Sequence, residues 1–364
     1  MIIQGLRWTH VRIPLARGFA TAHGALASRE GWIVRLVGED GHVGIGEASP
    51  LHGHALPPGP PVESLLEKVQ TSLPRPFEQL PVPVGASASE AAVRFAIETA
   101  GLDLIGQATG RPIAALLGVA RGQVAVNAVI GAADDREAAA EAATAVAAGY
   151  RTVKLKVGGR PIAADVRRVE RVRSAIGPAA RLRLDANGAW TVKEAIEALE
   201  AMRPFELELI EQPAPAGRLD ALRRVREASG LPIAADESVT SPAAAAALLA
   251  SKAVDVLVLK PMVLGGLRVS LAIAQRAARE GVSCIVTTTI DTGVATAAAL
   301  HLAAAIPGAP LANGLATAAF LASDLLVAPL PIEAGSMAVP AAPGLGVSVD
   351  DAALLRFAAQ EQPV

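Results

Sequence analysis

From about residue 122 the chain repeats one unit seven times, a short apolar run followed by a stretch of helical periodicity. The apolar runs lie at 124–130, 152–157, 181–185, 206–210, 232–235, 254–259 and 283–288. The helical stretches follow near 135–148, 162–176, 191–202, 218–229, 241–251, 266–280 and 294–305. Short buried strands alternating with helices imply a parallel sheet built from βαβ crossovers. Seven clear repeats and a weaker eighth near 310–315 match a closed (β/α) barrel better than an open doubly wound sheet. A barrel domain is therefore predicted over residues 121–327.

The ionisable residues fall on this rhythm. The second run is Thr152-Val153-Lys154-Leu155-Lys156-Val157, and the third leads from Arg183 through Asp185 into Asn187 and Gly188. The fourth ends at Glu211-Gln212-Pro213, the fifth at Asp236-Glu237-Ser238, and the sixth at Lys260-Pro261. Steps of 29, 26, 25 and 24 residues separate Lys156, Asp185, Glu211, Asp236 and Lys260. Each step is close to one βα unit, so the five side chains should sit at equivalent places on the C-terminal rim, where barrel enzymes carry their chemistry. One acidic residue at a strand end reads as a cap or a surface ion pair. Five charges at one phase, buried in a ring, need pairing or a shared ligand.

Three converging carboxylates suit a hard divalent cation, Mg²⁺ with Mn²⁺ as an alternative. Zinc is disfavoured, because no His or Cys falls on the rim pattern. Lys156 and Lys260 come from strands four steps apart in a ring of eight and should face one substrate from opposite sides. A lysine near a divalent cation has its charged form disfavoured and can serve as a base. The cation then stabilises the charge that develops on a carboxylate as its α-proton leaves. The pattern points to an enzyme acting on a small-molecule carboxylate.

Composition bounds the rest. Hydrophobic residues make up 52% and aromatics only 3%, which predicts a filled core of Ala, Val, Leu and Ile. A net charge of −2 gives no general attraction to nucleic acid or to an anionic membrane. The N-terminal stretch is broken by Arg7, His10 and Arg12, and the uncharged stretch 294–323 contains Pro307 and Pro310, so neither a signal core nor a membrane span is expected. The single cysteine, Cys284, suits a reducing cytoplasm and reads as a buried, inert thiol. With a mean hydropathy of +0.40, exposed apolar surface is expected, and a homo-oligomer would bury it.

Residues 1–120 read as an α+β unit, with strands over 2–13 and 31–48 and helices near 61–73 and 88–106. The tail, 328–364, is extended and is expected to pack on it. Residues 18–28, including Phe19, Thr21 and His23, read as a small-residue loop able to close over a substrate. His52 and His54 read as loop residues and His301 as a structural residue inside an apolar helix.

Taken together, Lys154 and Lys156, Asp185 and Asn187, Glu211, Asp236 and Glu237, and Lys260 resemble the muconate-lactonizing subgroup of the enolase superfamily. The stretch Gly44-Ile45-Gly46-Glu47 is similar to a loop of that subgroup's capping domain, so the resemblance spans nearly the whole chain. It implies a modified TIM barrel with an α+β capping domain formed by the N-terminal part and the C-terminal tail. It implies Asp185, Glu211 and Asp236 as metal ligands and Lys156 and Lys260 as the catalytic pair. Lys154, Arg183 and Asn187 would be supporting groups, and Glu237 would either orient Lys260 or start a helix.

Within the subgroup the sequence is most similar to the o-succinylbenzoate synthases. The similarity lies in residues 183–190, in Thr289-Ile290-Asp291-Thr292-Gly293, and in Asn313-Gly314-Leu315-Ala316-Thr317 with Asp324 beyond. Thr287-Thr288-Thr289 stands where those synthases carry a serine-rich start, and Ala316 where they carry glycine. The resemblance implies syn-dehydration of 2-succinyl-6-hydroxy-2,4-cyclohexadiene-1-carboxylate through an enediolate, on the route to menaquinone. N-succinylamino acid racemases, dipeptide epimerases and muconate cycloisomerases share the framework and stay open, as does a catalytically silent barrel that only binds. A dipeptide epimerase would carry a D-x-D pair after the eighth strand, and none occurs between residues 308 and 324.

Overall fold

A long antiparallel hairpin begins the chain, with β1 (Ile2–Thr21) paired to β2 (Gly24–Gly38). The computed structural model describes residues 1–21, 24–51, 55–118, 121–132 and 134–359. The ladder shifts register between Pro14 and Phe19, where proline lacks a donor, and then resumes with Phe19 opposite Leu26 and Thr21 opposite Gly24. The segment expected as a loop is thus backbone-paired, because the ladder satisfies main-chain groups that a loop would leave to solvent. His23, His52 and His54 lie outside the described residues.

β3 (Val43–Ala48) pairs antiparallel with β2, and α1 (Val62–Gln70) leads to the short β4 (Arg75–Pro76), giving a sheet ordered β3-β2-β1-β4. α2 (Ala88–Thr109) starts at a capping box in which Ser87 and Glu90 satisfy each other's backbone donors, and α3 (Ile113–Leu116) follows it. The Gly44-Ile45-Gly46-Glu47 stretch lies in β3 and not in a loop. Its glycines let the strand lie against α2: a Cβ at Gly46 would fall 2.1 Å from the Ala96 carbonyl oxygen, and one at Gly44 2.0 Å from that of Ala100.

The run expected over 124–130 is split. β5 (Gln123–Ala125) joins the tail, while β6 (Ala128–Ile130) begins the barrel. Parallel strands and helices then alternate. α4 (Asp135–Ala147), β7 (Thr152–Lys156), α5 (Ile162–Ile176), β8 (Arg181–Asp185) and α6 (Val192–Met202) come first. β9 (Leu207–Glu211), α7 (Leu219–Ser229), β10 (Ile233–Ala235), α8 (Pro242–Ala250) and β11 (Val256–Leu259) follow. α9 (Pro261–Leu264), α10 (Leu267–Arg279), β12 (Ser283–Val286) and α11 (Gly293–Ala305) complete the series.

The seven strands β6 to β12 form one curled sheet in sequence order. Its two edges meet through two residues, Asn313 bridging Val126 and Gly314 bridging Thr287. The weak eighth repeat is this two-residue closure. Asn313 supplements it with its side chain, whose Oδ1 accepts from Val286 N (2.8 Å) and whose Nδ2 donates to Leu311 O (3.1 Å).

Side-chain alternation sets the interior. Leu209, Ala234, Val256, Val258 and Ile285 form an apolar cluster separate from the main core, with Leu311 against it. Two residues further along each strand, Glu211, Asp236 and Lys260 occupy the same face one level higher. The charged ring therefore rests on a filled barrel.

In the tail, β13 (Ile332–Glu333) and β14 (Ser336–Ala338) form a hairpin that pairs with β5. α12 (Asp351–Arg356) lies by the first sheet, where Asp351 meets Arg35 at 2.5 Å and Ala358 bridges Val11. The tail is shared between the barrel and the N-terminal sheet. Among the described residues no helix is long and apolar enough to cross a membrane.

Candidate active site

Adjacent strands in parallel register deliver the ring, with Lys156 opposite Asp185 and Asp185 opposite Glu211. Main-chain bonds continue past the strand ends, from Val157 N to Asp185 O (2.8 Å) and from Ala186 N to Glu211 O (3.0 Å). Those bonds fix the backbone that carries each carboxylate. Asp185, Glu211 and Asp236 are only 1%, 2% and 5% exposed.

The ammonium groups sit among the carboxylates. Lys154 Nζ lies 2.9 Å from Glu211 Oε1 and 3.2 Å from Asp185 Oδ2. Lys156 Nζ donates to Asn187 Oδ1 at 2.7 Å and meets Asp185 Oδ2 at 3.3 Å. Lys260 Nζ reaches both oxygens of Asp236, at 2.5 and 2.6 Å. Asn187 in turn donates from Nδ2 to Glu237 Oε1 at 2.9 Å, and Glu237 Oε2 is buried without a hydrogen-bond partner. Glu237 is thus tied to Asn187, and the helix start that follows it is capped by Ser241 instead.

Electrostatics follow from this crowding. Burial pushes Glu211 up to about 7, with Asp185 and Asp236 adding to the rise against the pull of Lys154. Burial followed by Asp236 pushes Glu237 up to about 7 as well. Asp185 is held below the usual carboxylate range: burial would raise it, but Lys156 and Lys154 outweigh that. Burial would lower Lys154 and Lys260, yet Glu211 and Asp185 beside the first and Asp236 beside the second hold both above the ordinary lysine value.

Among the described residues no three His, Cys, Asp or Glu side chains close on one ion position. Lys154 and Lys260 stand between or against the carboxylates instead. The chemistry of the set nonetheless fits a hard cation: three oxygen-only side chains stand on successive strands, nearly out of solvent.

Gln212 was not singled out from the sequence. Fully buried at φ +40°, it accepts on Oε1 from Asp236 N (3.0 Å) and Ser238 N (3.3 Å) and donates to Ala214 O (2.8 Å). It locks the fourth strand end to the fifth, and the only sequence signal was its place directly after Glu211.

Arg183 is one level below the ring, pairing with Glu208 and donating to Ala312 O at 2.6 Å, so it braces the barrel interior. Phe19 and Thr21 belong to the β1–β2 hairpin by their backbone pairing. Thr288 and Thr317 share a hydroxyl hydrogen bond of 2.7 Å between the seventh and eighth strand ends. Cys284 is buried, and burial pushes its thiol up to about 12, which makes it inert.

Comparison with known proteins agrees with this geometry. Residues 137–353 match the family described as enolase C-terminal domain-like. The L-Ala-D/L-Glu epimerase of Clostridium acetobutylicum is 33% identical, over 84% of this chain and 87% of the relative. The o-succinylbenzoate synthase of Thermobifida fusca is 41% identical, over 58% of this chain and 64% of the relative. Among solved structures, the dipeptide epimerase of Enterococcus faecalis complexed with Mg and the dipeptide L-Leu-L-Tyr superposes with a TM-score of 0.85 at 31% identity, covering 96% of this chain and 100% of that one.

Proposed function

Because the chain belongs to the enolase C-terminal domain-like family, we propose that it is an o-succinylbenzoate synthase, dehydrating 2-succinyl-6-hydroxy-2,4-cyclohexadiene-1-carboxylate. The observation that carries the reading is the pair Lys156 and Lys260, on the second and sixth barrel strands, flanking three buried carboxylates. The choice of synthase rests on the eighth strand end. Between residues 308 and 324 it carries no D-x-D pair of the kind expected to hold a substrate ammonium, and Asp324 is the first acid after Asn313 in the sequence.

Lys156 takes the α-proton as base, its Nζ aimed by Asn187, whose amide is itself oriented by Glu237. Asp185, Glu211 and Asp236 would hold Mg²⁺, which when bound supplies the positive charge that stabilises the substrate carboxylate as that proton leaves. Lys260 opposes the same charge from the far side of the ring. Lys156 then returns the proton to the departing hydroxyl on the same face. One C–H and one C–O bond break, water leaves, and the ring becomes aromatic. Aromatisation drives the step, so the protein mainly has to position and to stabilise charge.

Dipeptide epimerisation is the second reading, favoured by similarity to epimerases over most of the chain. Purified protein should form the aromatic product with Mg²⁺ and stop when EDTA is added. Absence of that product, with epimerisation of L-Ala-L-Glu in its place, overturns the synthase reading.

A further inference from the structure

Beyond the ring, α5 carries a buried ion pair that the proposed chemistry does not use. Asp165 is 0% and Arg168 5% exposed, one helical turn apart, with Arg168 Nη1 3.1 Å from Asp165 Oδ1. A buried ion pair is a poor source of stability, since desolvation offsets much of its attraction. Its other hydrogen bonds go to main chain at the ends of the first two barrel strands, while Arg168 Nε is buried without a hydrogen-bond partner among the described residues. Arg168 donates to Lys156 O at 3.0 Å and to Ala132 O at 2.8 Å. Asp165 Oδ2 accepts from Gly158 N at 2.7 Å.

The sheet explains why the clamp is required. β6 ends at Ile130, opposite Leu155, so the ladder on that side stops before Lys156. On the other side β8 continues to hold the chain, through Val157 N and Asp185 O at 2.8 Å. Arg168 therefore holds the Lys156 carbonyl on the side where the β6 ladder has stopped, at the start of the turn that follows. That turn is tight: Gly158 has φ +91°, and a Cβ there would lie 2.8 Å from Ala189 Cβ.

We propose that Asp165 and Arg168 are positioning residues for Lys156, fixing its backbone from α5 while Asn187 fixes its Nζ from β8's end. The pair touches no reacting atom. A base acts well only when held within a fraction of an ångström of its proton, so loosening this grip should slow proton removal more than it weakens binding.

The inference rests on Lys156 being the base, and two readouts keep the two ideas apart. The first is steady-state kinetics on the cyclohexadiene carboxylate with Mg²⁺ for Arg168→Met, Arg168→Lys, Asp165→Asn and Lys156→Ala. Arg168→Met is expected to lower kcat by about 10- to 100-fold with KM nearly unchanged, and Arg168→Lys to recover part of the loss. The second is reductive methylation with formaldehyde and borohydride, read by mass spectrometry as the rate at Lys156 relative to exposed Lys252. That ratio should shift in Arg168→Met and Asp165→Asn and return towards wild type in Arg168→Lys. An unchanged ratio, or a fall in kcat and a rise in KM together with no rescue by lysine, overturns the positioning role. Should Arg168→Met fail to fold, Asp165→Asn and Arg168→Lys decide the matter by the same ratio. If Lys156→Ala keeps its turnover, the functional reading falls, while the methylation ratio still decides the clamp.

Discussion

Two lysines two residues apart on β7 have opposite predicted fates when removed. The Lys156 side chain is 27% exposed and reaches Asn187 and Asp185, and on its loss the buried Asp185 still keeps Lys154 at 3.2 Å. Lys156→Ala should therefore lower kcat by about 10²–10⁴-fold, the usual worth of a general base, with thermal unfolding little changed. Substantial remaining turnover would contradict its role. Lys154 is 12% exposed and lies between Asp185 and Glu211. Lys154→Met removes the ammonium beside the buried Glu211 and leaves Asp185 to Lys156, and should cost about 3–5 kcal/mol of stability, read from the urea midpoint without added Mg²⁺. A midpoint equal to wild type would mean that the carboxylates do not depend on it. The sequence exposed both lysines because the period of two along β7 puts them on one face. It could not reveal Gln212 or Arg168, whose polar contacts run across the sheet to main-chain groups and leave no periodic trace.

At the scale of elements, seven strands were legible because each run keeps buried apolar residues, alternating with charged ones in β7, β8 and β9. The eighth strand was legible only as a position. It is two residues long, and its work is shared between the backbone of Asn313 and Gly314 and the Asn313 amide. Asn313→Leu keeps the volume but leaves the Val286 N–H buried without an acceptor. A loss of about 1–3 kcal/mol is expected in denaturant unfolding, with hydrogen exchange fastest along β12. Unaltered protection of β12 would show that the barrel closes without the side chain. The distal end of the β1–β2 hairpin differs from the expected loop for a related reason. Its Gly and Ala residues carry little strand propensity, so cross-strand pairing, invisible in a linear reading, decided the outcome.

At the scale of the molecule, the N-terminal unit, the barrel and the tail meet at one histidine. His301, fully buried on α11, accepts on Nδ1 from Ala114 N of α3 (3.2 Å), and its Nε2–H, in the tautomer this requires, donates to Leu345 O of the tail (3.0 Å). Burial lowers its pKa from the ordinary 6.5, against the opposing pull of the Leu345 carbonyl. Protonation would also place an N–H on Nδ1 against the Ala114 N–H, so the folded state resists the proton. The unfolded chain takes that proton near pH 6.5, hence binds more protons below that pH, and stability falls as the pH drops. The contribution is whole above about pH 6.5 and is lost towards the depressed folded value, at no more than about 1.4 kcal/mol per pH unit for one proton. Other carboxylates also titrate in acid, so the test is a difference. The stability gap between wild type and His301→Gln, from urea unfolding at pH 8, 7, 6 and 5, should narrow steadily below pH 6.5. A gap that stays constant across the series would mean that His301 joins the three parts without sensing the proton.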